Sequence, residues 1–149
     1  MALITYADKQ AMGTQPSIPD VNKITDSDMN EIKDAVNSLE PVTLYDNASG
    51  SNSTITLSDS VANYKYIDIV FEGNNHTKDC LRTYNPNGKS INLFTGNSNG
   101  VYVWIQLENL SFSGVTINRG SQYEIAFTSS GVANLSTNNI YISKVVGYK

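Results

Sequence analysis

The chain has 149 residues, 40% of them hydrophobic and 16% charged, with a formal net charge of -4. That length suits one domain with a proper core and a small appended element. The acidic balance and scattered single lysines exclude a basic stripe for a nucleic-acid backbone. No apolar run approaches the length of a membrane span, and the sole cysteine, Cys80, excludes an intrachain disulfide.

The opening, MALITYADKQ, has no charged region followed by an apolar one. The expectation is a chain made in a cytoplasm without a secretory signal. Residues 1–25 are polar and irregular, and Pro16 and Pro19 bias their predecessors toward extended backbone. This stretch reads as an extended arm, with the apolar residues of ITY, SIPDV and KI spaced along it for docking.

Residues 26–40 are predicted to form one short α-helix. Thr25, Asp26 and Ser27 are cap candidates, Asp28 and Glu31 place negative charge in the first turn, and Pro41 stops the helix. Its apolar residues are Met29, Ile32, Val36 and Leu39, spaced three, four, three. That is the spacing of a coiled-coil seam, which suits a trimeric neck. An amphipathic helix packed on its own domain has similar spacing.

From Val42 the periodicity changes to two. VTLY, STITLS, KYIDIVFE, DCLRTY, KSINLF, VYVWIQLE, LSFSGVTIN, QYEIAFT and NIYISKVVGY read as strands, separated by clusters rich in Gly, Asn and Ser. YNPNGK reads as a short hairpin turn, with Pro86 at its first central position and Gly88 at the left-handed one. The fold class is therefore mainly β. Residues 42–149 form an antiparallel β-sandwich or jelly-roll module, preceded by the arm and the helix. Purely apolar strand faces predict the core: Ile67, Ile69 and Phe71; Val101, Val103, Ile105 and Leu107; and Tyr123, Ile125 and Phe127.

No constellation of residues points to catalysis. His76 is the only histidine, so a zinc site has no obvious ligand set. The turn DNASGSN lacks the ligand spacing of a calcium loop. No GxSxG elbow occurs, and Cys80 lies within a predicted strand, where a buried, inert thiol is the usual state. Asp59, Asp68, Glu72, Asp79, Glu108 and Glu124 are dispersed, with no pair spaced for glycoside hydrolysis. The chain is expected to be no enzyme and to need no metal or cofactor.

Nine tyrosines and one tryptophan are more suggestive of binding. Tyr102 and Trp104 share the polar side of their strand, which suits either stacking on sugars or cover by a second sheet or subunit. The turns EGNNH and TGNSNG add Asn74, Asn75, His76, Asn97 and Asn99, whose polar groups can pair with sugar hydroxyls or serve turn geometry alone.

The stretches IPDVNKITDSDMNEIK, ITLSDSVANYKYIDIVFEGNN, INLFTG and NIYISKVVGYK carry a resemblance over nearly the whole chain. The sequence resembles small head-fibre or tail-fibre appendage proteins of tailed bacteriophages and prophages of Gram-positive hosts. The resemblance implies a virion-borne homotrimer, attached to other virion proteins through its N-terminal part, with the β module outward. It implies a receptor-binding function toward a host-surface ligand, for which a glycan is the expected class, without nucleic-acid binding or membrane insertion. The alternative is a purely structural or decoration protein of the capsid or tail, with only virion proteins as partners.

Overall fold

The computed structural model describes residues 26–73, 78–98, 103–135 and 140–149, with backbone alone at residues 26, 97, 134 and 135. The chain divides after Glu40 into two units. The predicted arm lies outside the described residues.

In the first unit, helix α1 spans Asp26–Ser38. Its end tightens, with the amides of Leu39 and Glu40 donating to the carbonyls of Val36 and Asn37, before Pro41 arrives without an amide hydrogen. Met29 is half-buried, whereas Ile32, Val36 and Leu39 are exposed.

The second unit is a two-sheet antiparallel sandwich. Its strands are β1 (Val42–Ser51), β2 (Ile55–Thr56), β3 (Tyr66–Glu72), β4 (Lys78–Tyr84), β5 (Ser90–Ser98), β6 (Val103–Ser113), β7 (Thr116–Thr128), β8 (Gly131–Leu135) and β9 (Tyr141–Tyr148). One sheet has the order β1-β9-β3-β4, and the other β2-β7-β6-β5 with β8 also on β7. The core lies between them. The four-stranded sheet contributes Leu44, Ile67, Ile69, Phe71, Ile142 and Val145, and the five-stranded sheet contributes Ile55, Leu93, Leu110, Phe112 and Ile117.

The predicted strands are cut differently in the fold. VYVWIQLE and the start of LSFSGVTIN join in β6, while the rest of LSFSGVTIN joins QYEIAFT in β7. GVANL, read as part of a turn cluster, forms β8. YNPNGK does not close a hairpin, because β4 and β5 belong to different sheets. It is a crossing between sheets, closed by Lys89 N donating to Pro86 O at 3.0 Å, with Gly88 at φ 73° and Pro86 buried.

The larger correction concerns which faces are buried. Ile67, Ile69 and Phe71 are core as expected. In β6, however, Gln106, Glu108, Leu110 and Phe112 point inward, and Val103 is 46% exposed. Leu110 and Phe112 are large apolar groups at even positions of one continuous strand. Burying them turns every other even position inward too. In β7, Ile117 and Arg119 face inward, but between the pairs Leu110–Arg119 and Glu108–Gln122 the strand carries one extra residue. This bulge at Gly120–Ser121 shifts the alternation. Beyond it Glu124 and Ala126 are buried, while Tyr123 and Phe127 are exposed.

The inward polar groups Gln106, Glu108, Arg119, Gln122 and Glu124 are paired. Arg119 forms a two-pronged ion pair with Glu108, and its guanidinium also donates to the carbonyls of Ser51 at 2.7 Å and Ile140 at 2.5 Å. Gln122 Nε2 donates to Glu108 Oε1 at 3.0 Å, and Gln106 Nε2 to Glu124 Oε2 at 3.1 Å. Arg119 thereby ties the five-stranded sheet to β1 and to the segment entering β9, satisfying charges that would be costly alone.

Candidate functional site

The outward face of the four-stranded sheet carries a row of tyrosines. Inward Ile67 and Ile69 put Tyr66 and Asp68 on the other side of β3. The register sets Tyr66 opposite Tyr84 of β4 and Tyr148 of β9, and Asp68 opposite Arg82. The consecutive strands β3 and β4 and the sequence-remote β9 thus build one cluster. The Tyr66 and Tyr148 rings stack with centroids 4.6 Å apart, and the tilted Tyr84 ring lies 5.4 Å from Tyr66.

Arg82 lies over this row, its guanidinium carbon 4.3 Å from the Tyr66 centroid and 5.1 Å from that of Tyr148. Its Nε and Nη2 donate to the two Asp68 carboxylate oxygens at 2.6 and 2.7 Å. The guanidinium is therefore held over the aromatic rings by a fork-to-fork ion pair. Hydrogen bonding from Arg82 holds the Asp68 carboxyl below its ordinary pKa. Burial pushes the Tyr148 phenol up, aided by its hydrogen bond to Asp68.

Tyr84, at the edge-strand end of the row, is 60% exposed. An exposed phenol ring can cover the apolar face of a pyranose, and the cluster's charged groups can exchange hydrogen bonds with its hydroxyls. On the same outward side, Cys80 pairs with Val70 and is exposed, contrary to the expectation of a buried thiol. Its strand is an edge of the sheet, and partial desolvation raises its pKa.

None of the described residues selected from sequence for ligand binding belongs to this row. Asn74, Asn75, His76, Asn99 and Tyr102 lie outside the described residues. The register pairs Asn97 of β5 with Trp104 of β6, and Trp104 in turn with Ala126 of β7. Trp104 is half-buried and occupies the inward alternation shared by Gln106 and Glu108. Sequence reasoning missed the tyrosine row. Its signal was the outward aromatic and charged positions of KYIDIVFE, DCLRTY and the C-terminal strand. Their adjacency depends on the strand order β9-β3-β4.

Among the described residues, no group of three or more His, Cys, Asp or Glu is arranged to hold a metal ion, and no helix is long and apolar enough to cross a membrane. Comparison with protein-family models and with curated proteins finds no match to this chain.

Proposed function

We propose that the chain is a non-enzymatic virion appendage of a tailed phage, a homotrimer attached through its N-terminal part, whose β-sandwich binds a host-surface glycan. The sequence resemblance supports the virion setting. The observation that carries the binding reading is the tyrosine row of Tyr66, Tyr84 and Tyr148 under Arg82, on a rigid sheet face with its outer ring exposed. Three copies of one such platform would give avidity from weak single contacts.

Host-cell and glycan-array binding by single variants tests this reading. Tyr84→Ala is expected to cost about 1 kcal/mol or less of stability, because the ring is mostly solvated, and to weaken binding at least about tenfold. Trp104→Ala is expected to lower the melting temperature, with a cost of about 2–3 kcal/mol for a half-buried indole. Wild-type binding by Tyr84→Ala would refute the platform. The apolar outward face of the five-stranded sheet favours a second reading, a purely structural virion protein. That reading predicts no glycan binding by the wild-type chain.

A further inference from the structure

We infer that the outward face of the five-stranded sheet is an interface between copies of this chain. The inference rests on the self-association proposed above and is independent of any glycan. Three rows cross this face: Phe94–Leu107–Tyr123, Gly96–Ile105–Ile125 and Val103–Phe127–Val132. Phe94 is 55% exposed, Tyr123 60% and Val132 63%. Side chains of this size at half exposure present roughly 500 Å² together, the scale at which an apolar patch marks an interaction site.

Charge distribution separates this face from an ordinary solvated one. Among the described residues, the outward positions of β5, β6, β7 and β8 include no Asp, Glu, Lys or Arg. The charged residues at the paired positions of this sheet, Glu108, Arg119 and Glu124, take the inward alternation. The four-stranded sheet is the reverse, with Asp68, Arg82, Glu72, Lys78 and Lys144 on its outward alternation. Loss of charge with retained aromatic and aliphatic groups is the composition of an interface centre.

The same feature identifies the occupant. A charge-free surface offers no counterion, so a partner bearing Lys or Glu there would bury it unpaired at a cost. The matching surface must itself be apolar and uncharged, which a second copy of this face supplies. Its polar border, Asn92, Asn109, Ser111 and Asn118, carries donors and acceptors alike and can pair with its own copy. The patch alone is smaller than the ~800 Å² per partner of a stable interface. The exposed Ile32, Val36 and Leu39 of α1 are a second apolar surface that the same assembly can cover.

Sedimentation equilibrium of the full chain at micromolar concentration, with a dilution series, tests the inference. Tyr123→Lys and Val132→Lys each change an exposed side chain, and far-ultraviolet circular dichroism checks that each variant folds. Each is expected to raise the dissociation constant about tenfold or more, as Ile32→Asp is expected to do through the helix. A photo-crosslinking residue at Val132, in the otherwise unchanged chain, is expected to join copies through β5, β6 or β7. Wild-type mass in both lysine variants, with only Ile32→Asp dissociating, would overturn the sheet interface and leave the helical neck standing. A monomeric wild-type chain would overturn both. Crosslinks from Val132 confined to residues 1–25 of the same chain would overturn the sheet interface alone, by showing another occupant of the face.

Discussion

Tyr64 sits over Gly147, where even a Cβ would lie 2.4 Å from the ring, and its hydroxyl donates to Asp59 at 3.0 Å. Burial, with that hydrogen bond, pushes the phenol from 10.0 up to about 12. The folded chain therefore keeps this proton to higher pH than the unfolded chain. The corresponding stability is complete below pH 10 and is lost as pH rises toward 12. Tyr64→Phe cannot ionise, so urea midpoints measured across this range are expected to fall less steeply than in the wild type. Glu108 poses a different residue-scale question, because its partner Arg119 is nearly sealed from solvent, with 6% of its side chain exposed. Glu108→Ala would leave that guanidinium without a counterion. The expected cost is about 3–5 kcal/mol by chemical denaturation. A loss below about 1 kcal/mol, the range of a surface pair, would show that solvent reaches Arg119.

Strand β7 shows how one residue sets the chemistry of a whole face. The bulge at Gly120–Ser121 lets Ile117 and Arg119 face inward on one side of it and Gln122 and Glu124 on the other. If the same residues ran on without the bulge, the unbroken alternation would turn Tyr123, Ile125 and Phe127 inward. Deletion of Ser121 removes the extra residue but leaves Gln122 opposite Glu108 and Glu124 opposite Gln106, so the cooperative melting transition is expected to survive. Loss of that transition would mean that the bulged backbone itself, beyond the phase it sets, is needed for folding. The helix contrasts with this strand. Thirteen residues are marginal for an isolated helix in water, and its exposed Ile32, Val36 and Leu39 need a partner surface to contribute burial energy.

For the whole molecule, the division after Glu40 predicts an autonomous β unit. A chain beginning at Pro41 is expected to keep the near-ultraviolet circular dichroism of its packed aromatics. Loss of that signal would show that the sandwich needs the N-terminal unit to fold. The sequence by itself determined the existence of α1, through its acidic first turn and Pro41. It also determined the inward set of β3, where one alternation is uniformly apolar. Alternation states which residues share a face, but burial is decided by what packs opposite. In VYVWIQLE and QYEIAFT the apolar alternation was clear, yet it points outward. Leu110 and Phe112 hold the phase of β6, and the bulge resets that of β7. Only the tertiary structure brought Arg119 to Glu108, Ser51 and Ile140, because the first contact needs β6 beside β7 and the other two need the opposite sheet. The tyrosine row likewise follows from strand order. Tyr66, Tyr84 and Tyr148 become neighbours when β9 and β4 flank β3, and no local periodicity encodes which strands pair.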